Sequence, residues 1–305
     1  MKIQRLNGTK IKSNTVAAIG FFDGVHLAHQ TLIQTMKAYA KTHQMNTAVI
    51  TFDVHPKSVL FGLDYKYITP LEKKIEILSS YDIDTLYLIE FDAKKATLQP
   101  DAFIDHYLEN LSTIVCGFDF KFGHRGSGSV ETFKNHPSIK TIVVDELTHD
   151  GYKIGSTHIR DLIMSGQVEA IKDTLGRFYS VRGQVVDGAK KGRAIGYPTA
   201  NIDTGDYLVP KKGVYASFTR YNKRWYRSMS SIGHNPTLNQ QTNISVESYL
   251  FDFNKRIYGE TIEIVFVKRL RNEEKFDSVD ALVKQIEADE RATISILKNS
   301  DFDLH

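Results

Sequence analysis

Along residues 1–176, short and almost continuously apolar runs alternate with stretches of helical period. Strands are predicted at Val16–Gly20, Thr47–Phe52, Thr85–Phe91, Thr113–Gly117 and Thr141–Val144. Between the first two, Leu27–Thr42 puts Leu32, Ile33, Met36 and Ala40 on one helical face. Thr69-Pro70-Leu71-Glu72 has the form of a capping box with Pro at the first helical position. Leu71, Ile75 and Leu78 continue that helix as an apolar stripe. Apolar strands separated by helices predict a parallel sheet covered on both faces, hence a doubly wound α/β domain.

Near Leu175-Gly176-Arg177 the period changes. Tyr179–Val186, Gly213–Tyr221, Trp225–Ile232, Ile244–Phe253 and Thr261–Val267 are strand-like, with turn residues and no room for crossover helices. The expected fold is a small antiparallel β-barrel, closed or nearly so. A C-terminal helix follows, with Ser278 as N-cap and Leu282, Ile286, Ile294 and Ile296 among its apolar positions. The expected domains are 1–176 and 177–305.

Composition narrows the class. The 305 residues are 41% hydrophobic and 25% charged, as in a globular protein. The single cysteine, Cys116, excludes an internal disulfide framework and speaks against a cysteine-based zinc cluster. With no leader pattern after Met1 and no apolar run near the ~18 residues of a membrane span, the expected location is cytoplasmic. The net charge of +3 divides unevenly. Lys+Arg against Asp+Glu is 19 against 20 over residues 1–176 and 20 against 16 over 177–305, or −1 and +4. That mild excess suits a phosphate-bearing ligand and lacks the dense basic stripe of a nucleic-acid binder, so no nucleic-acid partner is expected.

No P-loop motif is present. Instead the first strand runs into Gly20-Phe21-Phe22-Asp23-Gly24-Val25-His26-Leu27-Ala28-His29 and then a helix. A strand, a Gly-containing turn and a helix N-terminus present backbone N–H groups to phosphate. His26 and His29, three apart, are neighbours there and could donate hydrogen bonds to phosphate oxygens as a pyrophosphate leaves. The plainer reading is two surface histidines near a cap; zinc lacks a third ligand at suggestive spacing. Gly155-Ser156-Thr157-His158-Ile159-Arg160 opens another helix. Ser156 or Thr157 serves equally as an ordinary N-cap, but the hydroxyls with Arg160 could hold the outer phosphates of a nucleoside triphosphate.

In the second half, Lys191-Gly192-Arg193-Ala194-Ile195-Gly196-Tyr197-Pro198-Thr199-Ala200-Asn201 combines glycines that permit close backbone approach with oxygen donors for a hard cation, Thr199 and Asn201. A turn followed by an edge strand from Pro198 explains it equally well. Glu247 stands on a strand otherwise rich in apolar residues. It reads either as a general base for a substrate hydroxyl or as the solvent-facing member of an alternating strand.

Taken in order, these elements resemble one family. G-x-F-D-G-V-H-x-x-H after the first strand and S-T-x-x-R late in the same unit resemble the Rossmann-like nucleotidyltransferase module of prokaryotic bifunctional riboflavin kinase/FMN adenylyltransferases, the FAD synthetases. Thr51-Phe52-Asp53-Val54-His55-Pro56 and Cys116-Gly117-Phe118-Asp119-Phe120-Lys121-Phe122-Gly123 agree with that module. G-R-x-x-G-x-P-T-A-N resembles the signature of riboflavin kinases. Gly213-Val214-Tyr215-Ala216, Ile232-Gly233-His234-Asn235-Pro236-Thr237 and Arg271-Asn272-Glu273-Glu274-Lys275-Phe276 match in order. The resemblance implies two serial reactions with ATP: riboflavin to FMN in the barrel, and FMN to FAD with pyrophosphate release in the α/β domain. By motif, His26 and His29 would act in adenylyl transfer, while Gly20, Phe22, Asp23, Ser156, Thr157 and Arg160 would bind its nucleotide. Glu247 would deprotonate the ribityl 5′-hydroxyl, Gly192 and Arg193 would close over nucleotide, and Thr199 and Asn201 would bind Mg²⁺. Asp119 and Arg271 would contact flavin, and homo-oligomers fall within the family's range. Cys116 is then packing rather than nucleophile.

The family usually has Asn where this chain has Phe21, Gly for Ala28, Ser for Gly155 and Asn for Ser231. The first three fall in the adenylyl-transfer elements. Two alternatives follow: one working half with the other as scaffold, or a flavin-binding regulator without turnover. Retained Glu247, Thr199 and Asn201 argue against the regulator, which needs neither base nor metal.

Overall fold

The computed structural model describes residues 1–188, 191–234 and 244–302. Two compact units result, Met1–Ser156 and Thr157–His305. This division lies earlier than Gly176 because the 3₁₀ turn Val168–Ile171 packs on a strand of the barrel.

The first unit is built on six parallel strands: β1 Lys2–Arg5, β2 Thr15–Ile19, β3 Asn46–Phe52, β4 Thr85–Ile89, β5 Thr113–Gly117 and β6 Lys140–Val144, in the order β1-β4-β3-β2-β5-β6. Alternate side chains point to opposite faces. Val16, Ala18, Val49, Leu86 and Val115 form one core with Leu32, Ile33 and Met36 of α1 (Leu27–His43) and Leu78 of α3 (Leu71–Ser79). Ala17, Ile19, Ile50, Ile114 and Cys116 form the other with Phe103 and Ile104 of α4 (Pro100–Tyr107) and Phe133 of α5 (Val130–Lys134). The doubly wound reading therefore holds, with one added strand. β1 is an edge strand of sequence Lys-Ile-Gln-Arg, mostly exposed, and carries no apolar run to betray it. α2 (Pro56–Phe61) and the two-residue strands β7 (Thr148–His149) and β8 (Tyr152–Lys153) complete this unit. α6 (Ser156–Ser165) begins where the units divide.

The capping box at Thr69 does not form. Helix α3 starts at Leu71, with Pro70 at the cap position and no side-chain cap bond. The backbone N–H of Thr69 is drawn instead to buried Asp23, donating to its Oδ1 at 3.0 Å.

After α7 (Lys172–Leu175), the second unit is a closed six-stranded antiparallel barrel, order β10-β13-β12-β11-β14-β9. Its strands are β9 Tyr179–Val186, β10 Ala200–Asp203, β11 Gly213–Tyr221, β12 Arg224–His234, β13 Ile244–Leu250 and β14 Thr261–Arg271. The short turn of helix α8 (Lys191–Ala194) precedes β10, which pairs with both β9 and β13 and closes the barrel. The C-terminal helix α9 (Val279–Lys298) starts at Ser278, whose hydroxyl accepts from Ala281 N–H as expected.

Alternation along β11 separates two environments. Ala216 and Phe218 pack with Ile296 and Leu297 of α9. Ser217 and Thr219, on the opposite face, join a fully buried ring of hydroxyls. Around it run Ser217–Ser228, Ser228–Thr219 and Thr219–Ser248 at 2.8 Å, Ser248–Ser230 at 3.1 Å and Ser230–Ser217 at 2.8 Å. In a closed ring each hydroxyl donates once and accepts once, so every member is satisfied. Thr219→Val keeps the shape and leaves Ser228 and Ser248 each short of a partner, an expected loss of about 1–3 kcal/mol. The urea midpoint followed through Trp225, the chain's one tryptophan, checks this; an unchanged midpoint contradicts it.

Candidate active sites in the two units

In the first unit, β2 ends at Ile19 and Gly20 donates its N–H to the Ile50 carbonyl at 3.1 Å. A Cβ on Gly20 would lie 3.2 Å from the Phe22 ring, which explains glycine there. The chain then turns sharply: Phe22 (φ 57°), Gly24 (φ 88°) and Val25 (φ 42°) all have positive φ. Phe22 is fully buried. Left-handed backbone is strained for bulky and β-branched residues and persists only where the surroundings enforce it.

His26 is the N-cap of α1, its Nδ1 accepting the His29 N–H at 3.4 Å. Accepting at Nδ1 puts the proton of the neutral ring on Nε2. The two imidazoles stack, ring centroids 3.6 Å apart. His26 is buried rather than a surface residue near a cap. Asp23 is committed to the backbone: its carboxylate accepts from Thr69 N–H at 3.0 Å, and Tyr65 Oη lies 3.4 Å away. Ser156, the first residue of α6, donates its hydroxyl to the Asp23 carbonyl at 2.9 Å, which places that one residue of the expected motif at this turn. Thr157 and Arg160 follow in the same helix. Asp119 is exposed and ion-paired with Lys153 of β8.

Phe21 belongs to an aromatic group: its ring meets His55 edge-on at 4.6 Å and stacks at 6.2 Å on Tyr67, while Tyr65 stacks on His55 at 3.9 Å. At Gly155 a Cβ would meet nothing within 4 Å, so packing does not require the absence of a serine there. Sequence reasoning missed Lys74. Only 1% exposed, it donates from Nζ to the Phe21 carbonyl at 2.8 Å and lies 4.3 Å from the Phe21 ring centroid. Its place three residues after Leu71 and one before Ile75 puts it on the buried stripe of α3, the one signal that could have found it. Cys116 is buried, which pushes its thiol up to about 11 and suits packing rather than nucleophilic chemistry.

In the second unit, Asn201 stands directly opposite Glu247 across the β10–β13 pair, and Ser231 opposite Glu247 across β12–β13. Directly opposed residues share a face; for Glu247 it is the face away from the hydroxyl ring that holds Ser248. The Thr199 hydroxyl donates to Glu247 Oε2 at 2.9 Å. Asn201 is buried and its Oδ1 has no hydrogen-bond partner among the described residues. A Cβ on Gly188 would lie 2.3 Å from Asn201 Nδ2, so glycine is what lets the chain pass there. Thr199 and Arg193 line a cleft of about 500 Å³ with Leu250, Phe253 and Tyr258. A Cβ on Gly192 would fall 2.3 Å from the Tyr197 carbonyl, and Gly192 O accepts from Tyr197 N–H, so Gly192 and Arg193 sit in one tight loop beside that cleft.

The oxygens present fit a hard cation. An orphaned buried amide oxygen is costly in water-free surroundings, and a threonine hydroxyl that donates to a carboxylate keeps its lone pairs for a metal. Arg271 lies in the same cross-strand row, reached from Glu247 through Ser231 and Val214; its Nε and Nη2 grip buried Asp289 of α9 at 2.8–3.1 Å, and the Phe276 ring centroid lies 5.7 Å from its guanidinium carbon. Asn235, Pro236 and Thr237 of the expected motif lie outside the described residues.

Comparisons with known proteins agree with both halves. A family model described as FAD synthetase matches residues 8–158, and one described as riboflavin kinase matches residues 175–297. The chain is 42% identical to a bifunctional riboflavin kinase/FMN adenylyltransferase of Listeria monocytogenes, over 92% of this chain and 91% of that one. It is 39% identical to the protein of the same name from Bacillus subtilis, over 94% of each. A crystal structure described as a macrolide-efflux protein from Streptococcus pneumoniae superposes with a TM-score of 0.88 at 33% identity, covering 96% of this chain and 99% of that one. Among the described residues no helix is long and apolar enough to cross a membrane. With both units, their motif residues and near full-length relatives in agreement, the chain belongs to the bifunctional riboflavin kinase/FMN adenylyltransferase family.

Proposed function

We propose that this chain makes FAD from riboflavin in two ATP-dependent steps, the first in residues 177–305 and the second in residues 1–176. The observation that carries the reading is that one chain holds both a stacked histidine cap on a strand–turn–helix and a Thr199–Glu247 pair across from Asn201, whose Oδ1 has no partner among the described residues.

In the barrel, the 5′-hydroxyl oxygen of riboflavin attacks the γ-phosphorus of ATP and ADP leaves. Glu247 accepts the hydroxyl proton. Thr199 occupies Oε2, which leaves Oε1 to take that proton. Thr199 and Asn201 would hold Mg²⁺, which when bound neutralises phosphate charge. Gly192 and Arg193 cover the nucleotide.

In the first unit, a phosphate oxygen of FMN attacks the α-phosphorus of a second ATP, and pyrophosphate leaves. The turn Gly20–Asp23 presents backbone amides, and His26 and His29 donate to oxygens that gain charge. The backbone N–H of Ser156, whose hydroxyl is given to the Asp23 carbonyl, is offered to the outgoing phosphates. Both reactions are in-line displacements, so positioning and charge stabilisation are the protein's contribution. The ligands on this reading are ATP and flavins, the location cytoplasmic.

By-product stoichiometry tests the assignment: one ADP per FMN formed from riboflavin, and one pyrophosphate per FAD formed from FMN. Pyrophosphate released from riboflavin before FMN accumulates contradicts the proposed order. Asn201→Ala is expected to raise the Mg²⁺ concentration for half-maximal riboflavin phosphorylation and leave FAD formation from FMN unchanged. An unaltered Mg²⁺ dependence removes Asn201 from the metal site.

A further inference from the structure

Lys74 is a buried cation that the two reactions, as described, do not use. Its ammonium donates to the Phe21 carbonyl at 2.8 Å, and the Thr51 hydroxyl donates to the same oxygen at 2.9 Å. A trans peptide points its C=O and its following N–H in opposite directions. Two donors fixing the Phe21 carbonyl therefore aim the Phe22 N–H away from Lys74. Phe22 is also the first strained residue of the turn, at φ 57°. A strained residue needs surroundings that over-determine it, and the Lys74–Thr51 pair is built to do so.

We propose that Lys74 is a positioning residue for adenylyl transfer, holding and polarising the Phe21–Phe22 peptide so that the turn receives phosphate. The cation strengthens the Phe22 N–H as a donor by polarising its peptide. It also adds positive potential beneath a turn that meets a polyanion. This rests on the reading of Gly20–Asp23 as the phosphate-binding turn.

The charged groups facing Lys74 are Asp23 on the turn and Asp53 just after β3, both favouring its charged form. Burial outweighs them and lowers Lys74 to about 8. Activity and stability then respond oppositely to pH. Above about 8 the folded protein loses this proton while the unfolded chain keeps it up to its ordinary value of 10.5. Between those values the unfolded state binds more protons, so Lys74's contribution to stability rises with pH. A merely structural lysine would not make catalysis fall in that window; a positioning cation does.

The experiment follows FMN-to-FAD turnover from about pH 6.5 to about pH 9.5 in the full chain, with riboflavin phosphorylation on the same samples. The wild type is expected to lose FAD-forming kcat above about pH 8, the kinase showing no matching fall. Lys74→Met is expected to lower FAD-forming kcat by about 10- to 100-fold, the loss of a charged hydrogen bond. Lys74→Arg is expected to recover part of that rate and extend it to higher pH, because guanidinium stays charged. Lys74→Met within about twofold of wild type, kinase intact, would overturn the proposal. So would equal losses in both variants with the pH limb unchanged. If neither variant folds, the wild-type profile decides: a limb near 8 supports the role and a flat profile overturns it. His29→Ala, run in parallel, separates the two levels. Undiminished FAD formation in His29→Ala overturns the turn assignment itself, and collapse there with Lys74→Met unaffected overturns only the lysine.

Discussion

Glu247→Gln is expected to lower riboflavin phosphorylation by about 10²–10⁴-fold in kcat, the span that a positioned general base supplies. The substitution is nearly isosteric. Its amide oxygen still accepts from the Thr199 hydroxyl, now 2.9 Å from Oε2, so the loop–strand contact survives. What disappears is the capacity to take a proton from the ribityl hydroxyl. Binding of riboflavin and ATP should change little, so the loss should fall on kcat rather than KM. FAD formation from added FMN should persist at the wild-type rate, which shows that the fold is intact. Steady-state kinetics with each flavin check this. A variant that still phosphorylates riboflavin within about tenfold of wild type would remove Glu247 from the role of base.

His29→Ala is expected to have the mirror effect, lowering FAD formation from FMN by about 10²–10³-fold, as when one transition-state donor is deleted. His29 is the cleaner of the two histidines to test. His26 is buried and caps α1 through its side chain, so removing it also costs about 1 kcal/mol of helix stability. His29 takes part in the cap through its backbone N–H, which alanine keeps. It does lose the 3.6 Å stack on His26 and the 4.9 Å contact with the Phe22 ring. Riboflavin phosphorylation should be unchanged. Equal loss of both activities would point to misfolding instead of a lost phosphate donor.

Much of this architecture was legible along the chain because burial imposes a period. The strands at Val16, Thr47, Thr85, Thr113 and Thr141 are apolar on both faces and announce themselves. β1 does not, since an exposed edge strand of Lys-Ile-Gln-Arg has the composition of a loop. The cap at Thr69 was misplaced because a capping motif states what a side chain can do locally, and buried Asp23 offered its backbone N–H a charged partner.

Sites follow the same logic. Thr199, Asn201 and Glu247 come together because antiparallel pairing sets Asn201 opposite Glu247, which a motif reader can anticipate once the barrel is drawn. Lys74 was hidden by residue type, since a lysine on a surface helix normally faces water. Arg271, a motif arginine expected to touch flavin, also pairs with buried Asp289, a partner some eighteen positions further along that no motif announces. The hydroxyl ring was invisible because Ser217 and Thr219 flank Phe218, and Ser228 and Ser230 flank Met229, as surface positions would. Only closure of the barrel turns that face inward.

Both catalytic units of this chain are expected to work, despite Phe21, Ala28 and Gly155 in the adenylyl-transfer elements. The decisive measurement is chromatographic separation of flavins after incubating the purified protein with Mg·ATP and either riboflavin or FMN. Riboflavin should give FMN first and FAD afterwards, and added FMN should give FAD without delay. FMN accumulating from riboflavin with no FAD from either substrate would contradict it, leaving a kinase beside a silent first unit.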